Sequence, residues 1–456
     1  MSALPLLADR LAANDLARPD AADATLPTRA DIDALRRTIV GLNDNVLSQV
    51  QRVAASVERV QINERLREAS RIAPKERRVV FIGAPGFAGN IKYAWLDFAQ
   101  RAKAADVECW FAPQTREQDD LCKALGVPYF PFDWTTWTRE HTGAALRTAV
   151  RVVETHYTEI APANPHQHAL FFGAREVQLW HGISIKEIAL RSNVPLARMT
   201  LGHAQNLASC QMDVFCGASA QAEQEWRRWF VFERYANIGY PRNDVLLRTP
   251  TELDLLNVDT AALGAARAVR ARGGKVFFYT PTFRDAGSTA WLRPEWLNTV
   301  ASGLARHGHL LLVNLHPFEQ GLQPQYEKLC PQVGFVAVRT DIYPLLRETD
   351  ALVTDYSSLM FDYLLTGKPI VWFRPDHEAY VGQSRALYDG KIEQPLGPQT
   401  GTAEELLREC IAVDRQNPAY AEIRAELRDR LFDLQDDRAG ERTSQLILAE
   451  LERTLA

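Results

Sequence analysis

Asp350-Ala-Leu-Val-Thr-Asp-Tyr-Ser-Ser-Leu-Met-Phe-Asp362, running on to Gly367-Lys-Pro-Ile-Val-Trp-Phe373, has the pattern of a strand, a polar turn, a short helix and a second strand. Ala351 to Val353 is a short apolar run with the look of a buried parallel strand, and it stops abruptly at Thr354 and Asp355. Ser357 and Ser358 then offer N-cap hydroxyls to a helix carrying Leu359, Phe361, Leu364 and Leu365. Gly367 and Pro369 supply a stop signal before a second strand, Ile370 to Phe373. The spacing predicts one βαβ unit. Two hydroxyls at a helix start, with no carboxylate until Asp362, suit a phosphate better than a metal; the plain alternative is an ordinary serine cap.

Working outward, the same strand-turn-helix rhythm fills most of the chain. Arg77 to Gly83 reads as a strand leading into a turn with Gly83, Gly86 and Gly89, and Ile91 to Ala102 as a helix. The glycines do not form a dinucleotide fingerprint; their spacing predicts a loop that approaches something closely, such as an acceptor. Strands are expected at Val107 to Phe111 and Tyr129 to Phe132, at Val177 onward into Trp180-His181-Gly182, and at Asp213 onward. A second series begins with Lys275 to Thr280, followed by His309 to Leu315 ending at His316-Pro317, and by Phe335 to Val338.

These series predict an α/β protein of two facing, doubly wound Rossmann-like domains with ligands at the strand C-termini. The expected divisions are a 1–77 extension, a 78–250 N-terminal domain, a 251–274 linker, a 275–400 C-terminal domain and 401–456 terminal helices. At 456 residues the chain is too long for one core of usual size. Its net charge of -5 gives no electrostatic case for nucleic acid. It has no apolar run long enough to span a membrane, and its start does not resemble a signal peptide. Cys109, Cys122, Cys210, Cys216, Cys330 and Cys410 lack paired spacing and read as small core residues of a reducing, cytoplasmic compartment.

From Ile32 the extension carries Leu35, Ile39, Leu42, Val46, Val50, Val53, Val57 and Val60 at three- and four-residue steps, with one slip between Val46 and Val50. That is either a coiled-coil seam, implying a homo-oligomer through residues 30–66, or an amphipathic helix lying on its own domain. Asp31, Asp33, Asp44, Glu58 and Glu64 dilute the positive face that an anionic lipid surface would want.

His181 and His316 stand at strand ends beside a Gly and a Pro that fix the turn, where an imidazole can take a proton from an attacking hydroxyl. Arg284 and Lys186 could neutralise phosphate oxygens, or sit in surface ion pairs.

Trp180-His-Gly-Ile-Ser-Ile-Lys186, Gly239-Tyr-Pro-Arg-Asn-Asp244, Tyr279-Thr-Pro-Thr-Phe-Arg-Asp285, Leu315-His-Pro317 and Thr354-Asp-Tyr-Ser-Ser358 with Phe361-Asp362 and Gly367-Lys-Pro369 resemble the CDP-glycerol glycerophosphotransferase family, over roughly residues 78–400. Asn90-Ile-Lys-Tyr93 resembles a segment near the start of that family's N-terminal domain. The resemblance implies a GT-B architecture and a transferase that makes teichoic-acid-like, capsule or other bacterial surface polymers. It implies a CDP-glycerol or CDP-ribitol donor as substrate, a lipid- or glycan-linked acceptor at the inner face of the cytoplasmic membrane, and no nicotinamide, flavin or metal cofactor. It implies His181 as base and His316 near the transferred phosphate. It also implies Arg284, Asp355, Ser357, Ser358 and Asp362 on the donor, with Lys186, Asn90 and Arg242 as further phosphate or acceptor contacts. Ile183-Ser184 and Asn314 depart from the family's usual residues, which bears on donor identity more than on reaction type. Two other functions fit the same pattern: a GT-B glycosyltransferase using a nucleotide sugar, and a non-catalytic oligomeric assembly subunit.

Overall fold

A computed structural model of the protein describes residues 29–83, 86–155, 164–185, 212–282, 284, 292–316, 319–377, 392 and 394–456. Residues 29–65 form one unit and residues 66–456 another.

The larger unit contains two parallel sheets of six strands. The first holds β1 (Glu76–Ile82), β2 (Glu108–Ala112), β3 (Thr148–Val153), β4 (Arg175–Gln178), β5 (Met212–Gly217) and β6 (Phe232–Asn237), in the order β2-β1-β3-β4-β5-β6. The second holds β7 (Val276–Thr280), β8 (Leu310–Val313), β9 (Gly334–Phe335), β10 (Ala351–Thr354), β11 (Ile370–Phe373) and β12 (Gln399–Thr400), in the order β12-β11-β10-β7-β8-β9. In each sheet the chain winds one way from its first strand and then returns to build on the other side. The reversals fall between β1 and β3 and between β7 and β10, and the crevice outside such a reversal is where ligands bind in open parallel sheets.

Both faces of each sheet are buried, which is why the strands read as apolar runs. Along β1, Val79 and Phe81 pack with Ile91, Phe98, Ile447 and Leu451, while Val80 and Ile82 pack on the other face with Phe130, Ala145 and Phe171. Along β7, Val276 and Phe278 face one core, and Phe277 and Tyr279 the other.

The structure departs from the sequence reading in several places. Tyr129 to Phe132 forms only one bridge, Phe111 to Tyr129, because Pro128 and Pro131 remove ladder donors on either side. Phe335 to Val338 shrinks to the two residues of β9. Residues 251–274 contain a helix, Thr260–Ala271, which buries Ala262, Leu263, Ala266 and Val269 in the core of the second lobe. The terminal helices divide: Ala403–Ile411 packs in the second lobe, while Ala439–Leu455 returns to the first, with Ile447 and Leu451 in its core.

The helix start at the opening stretch is also shorter than expected. Leu359–Tyr363 is α-helical, Leu364–Thr366 tightens to a 3-10 turn, and Gly367 closes it at φ +67. Ser358 makes no side-chain cap, and the Ser357 hydroxyl accepts from Leu359 N at 3.4 Å.

The smaller unit is the greater part of one continuous helix, Arg29–Ile72, unbroken through the slip at Val46 to Val50. No helix among the described residues is long and apolar enough to cross a membrane.

Candidate active site between the lobes

In the first lobe the site is built around the turn after β4. Trp180 adopts φ +54, a left-handed conformation that a bulky side chain rarely takes and that costs about 1–3 kcal/mol. Surrounding groups enforce it. Asn90 Nδ2 donates to the Trp180 carbonyl at 2.7 Å, and the Trp180 N–H donates to Gln178 Oε1 at 3.0 Å. The Trp180 ring itself is buried with Phe215, Trp226 and Phe230. Gly182 follows at φ +106, where a Cβ would overlap the Arg242 guanidinium.

His181 sits between these two residues, its ring against Trp180 with centroids 4.1 Å apart. The residue is exposed to solvent. Even so, the dense protein around it, with help from Arg242, pushes the imidazole down to about 4. It is therefore neutral at physiological pH. One ring nitrogen donates to the Glu154 carbonyl, so the other is left as an acceptor for a hydroxyl proton.

Glu154 follows β3 at the first sheet's reversal point. Its carboxylate accepts from Ile91 N at 3.0 Å, at the start of the Gly89–Ala102 helix, and burial pushes it up to about 7. Gly89 is required here, because a Cβ would lie 2.6 Å from the Glu154 carboxylate. Gly86 likewise approaches the Arg339 carbonyl. The close approaches expected of the glycine turn are thus made to other parts of the chain.

Arg242 joins the lobes. Its backbone N–H donates to Asn90 Oδ1 at 3.2 Å, and its Nη2 donates to Asp362 Oδ2 at 2.6 Å. Asp362, almost wholly buried, also accepts from Asn243 Nδ2 at 3.2 Å and Tyr343 Oη at 2.6 Å. Burial works against the arginine's charge, but Asp362 outweighs it and holds the guanidinium above its ordinary range. Arg242 Nε is buried with no partner among the described residues. A half-buried, fixed cation with a spare donor beside a neutral imidazole is suited to an anion.

In the second lobe Asp355 lies at the reversal point and is fully buried. It accepts from Thr282 N at 3.0 Å, Thr282 Oγ1 at 2.6 Å and Tyr356 N at 2.6 Å, and pairs with Arg284 at 3.0 Å. Arg284 also bonds Asp376 at 2.7 and 3.0 Å. Arg374 donates to the Asp355 carbonyl and covers the Tyr356 ring, whose hydroxyl meets His377 Nδ1 at 2.8 Å. Ser357 and Ser358 are half-buried beside this cluster. His316, also half-buried, is placed just beyond β8, the strand next to β7.

The structure therefore brings His181, Asn90, Arg242 and Asp362 into one connected network, and Asp355 with Arg284 into another, with Ser357 and Ser358 close after Asp355 in sequence. Asn90, Asp355 and Asp362, expected on the ligand, each hold hydrogen bonds to protein groups. Lys186 lies outside the described residues. Glu154, Arg374 and His377 were absent from the sequence reading. The polar run Arg374-Pro-Asp-His377 directly after a strand was the available signal for two of them.

Two reversal points presenting polar side chains across an interlobe crevice define the protein as a two-lobed α/β fold of the GT-B kind. Residues 74–449 match the CDP-glycerol:poly(glycerophosphate) glycerophosphotransferase family, and the chain belongs to it. It is 27% identical to a teichoic acid poly(glycerol phosphate) polymerase of Bacillus subtilis, over 51% of this chain and 31% of that protein. It is 26% identical to a teichoic acid glycerol-phosphate transferase of Staphylococcus aureus, over 59% of this chain and 70% of that protein. The chain thus spans about a third of the first relative's length. The solved wall teichoic acid polymerase TagF superposes with a TM-score of 0.64 at 19% identity, covering 93% of this chain and 99% of that one, and shares the fold.

Proposed function

We propose that this chain transfers glycerol phosphate from CDP-glycerol to an acceptor hydroxyl, releasing CMP, in the assembly of a bacterial surface polymer. Family membership and the glycerol-phosphate relatives support this reading. The observation that carries it is the neutral imidazole of His181, held on a strained turn beside Arg242, a fixed cation with a spare donor.

The acceptor oxygen attacks the donor's β-phosphorus in line, and the bond from that phosphorus to the bridging oxygen breaks. CMP departs with that oxygen, and the acceptor's proton passes to His181. Arg242 Nε, His316 and the Ser357 and Ser358 hydroxyls offset charge on the diphosphate and the transferred group. Arg284 contributes from the second lobe, and Lys186 is a further phosphate contact in this proposal. Asp362 and Asp355 fix Arg242 and Arg284, while Asn90 fixes the His181 turn. Such transfers depend on positioning and electrostatics, and no redox cofactor is needed to balance the step. The acceptor is carried on a lipid or growing glycan, which brings the protein to the inner face of the cytoplasmic membrane.

Purified protein supplied with CDP-glycerol and a glycerol-phosphate-primed acceptor should release CMP. His181→Ala should lower that rate ~100-fold or more with an unchanged circular dichroism spectrum. Near-normal turnover in that variant would remove His181 from the chemistry.

A further inference from the structure

The seam of the Arg29–Ile72 helix is exposed along its length. Its eight described side chains, Ile32, Ile39, Leu42, Val46, Val50, Val53, Val57 and Val60, are each 52–62% accessible. With Leu35 in register, the steps between seam positions run 3-4-3-4-4-3-4-3. One four-residue insertion in a heptad pattern is a stutter, which a coiled coil absorbs by local unwinding. The helix here continues through it without a break.

That series of steps reads the same in both directions about Val46. We propose that residues 32–60 pair with the same segment of a second copy of this chain as an antiparallel two-stranded coiled coil, its two-fold axis passing at Val46. In that register Ile32 meets Val60 of the second copy, Leu35 meets Val57, Ile39 meets Val53, Leu42 meets Val50, and Val46 meets itself. Each outer layer then combines one larger side chain with one valine, which keeps the helices evenly spaced. A parallel pair would stack Ile and Leu on themselves in one half and valines on valines in the other.

Of the positions flanking the seam, Thr38, Asn43, Asn45, Gln49, Ala54, Ser56 and Gln61 carry no charge, and the charged Asp31 and Arg36 lie only near its N-terminal end, so a second helix meets no repulsion through the middle of the seam. Burying the seam would remove roughly 700 Å² from each chain, close to the ~800 Å² per partner of stable interfaces. A lipid surface fits less well. The six arginines of residues 29–65 are offset by five acidic residues, and no basic face results. Antiparallel pairing also sends the two larger units to opposite ends of a seam about 42 Å long.

The test is disulfide cross-linking of the full chain, with the unsubstituted protein as background, alongside its mass by light scattering. Twice the monomer mass is expected. Leu42→Cys and Val50→Cys should each cross-link weakly alone and at least tenfold more when mixed, while Val46→Cys should cross-link with itself. Val46→Asp should give monomers with an unchanged far-ultraviolet spectrum of the larger unit. Efficient self-cross-linking of Leu42→Cys and Val50→Cys separately would overturn the orientation. A monomer at tens of micromolar, or a monomer that sediments with phosphatidylglycerol vesicles through this helix, would overturn the pairing itself.

Discussion

At the scale of single residues, the dense protein around the solvent-exposed His181, together with Arg242, holds its imidazole neutral down to about pH 4. In the free enzyme its protonation should limit kcat/KM only below about pH 5, well under the ~6.5 of an unperturbed histidine. A bound diphosphate brings negative charge towards the same group and raises its basicity. The acid limb of kcat, which reports the occupied site, should therefore lie at higher pH than that of kcat/KM. Coincident limbs near 6.5 would contradict this environment. The same shift acts on stability with a defined sign. Between pH 6.5 and about 4 the unfolded chain binds the proton and the native imidazole does not, so this contribution is lost as pH falls through that window. Glu154, pushed up to about 7, acts in the opposite sense between its ordinary value and 7. His181 was legible in the sequence as a polar residue at a strand-end turn, and Arg242 and Asn90 only through the family resemblance. Their mutual bonding was not, since Asn90 reaches Trp180 and Arg242 across 90 and 152 positions.

Among elements, most strands could be read because parallel strands buried on both faces are short apolar runs. β3 was missed although it is central to its sheet, and Glu154 was missed with it. Its sequence, Thr148-Ala-Val-Arg-Val-Val153, has a charge in the middle. Arg151 is tolerated because it pairs with Glu176 at 2.8 Å and donates to the Phe171 carbonyl at 3.1 Å, partners that only the folded sheet supplies. The Thr260–Ala271 helix was hidden in the same way, by small alanines in place of larger apolar residues. The long helix offers a local test. Gly41 lies in its interior, and a Cβ there would meet nothing within 4 Å. Gly41→Ala should stabilise the helix by about 0.5–1 kcal/mol, seen as a raised melting midpoint of helical ellipticity. No gain, or a loss, would mean that position 41 packs against something in solution.

For the whole molecule, the lobes are held in register by buried charge. Lys92, fully buried on the Gly89–Ala102 helix, donates to Asp341 Oδ2 at 2.7 Å and to the carbonyls of Asp254 and Leu256. Tyr93 Oη reaches the same carboxylate at 2.6 Å. Within the Asn90-Ile-Lys-Tyr93 segment, Lys92 and Tyr93 thus serve the interlobe joint, while Asn90 bonds within the first lobe. Lys92→Met leaves Asp341 buried without its cation and should cost about 3–5 kcal/mol in urea unfolding. Adding Asp341→Asn should recover part of that loss, and an additive double variant would show that the two groups do not act as a pair. This joint was unreadable beforehand, because its partners lie 249 positions apart.

Phosphorus NMR of a turnover mixture follows the atoms of the proposed reaction most directly. With CDP-glycerol and a primed acceptor, the donor's β-phosphorus should appear in a new phosphodiester on the acceptor while the α-phosphorus appears in CMP. A β-phosphorus that stays on the nucleotide, released as CDP, would contradict it.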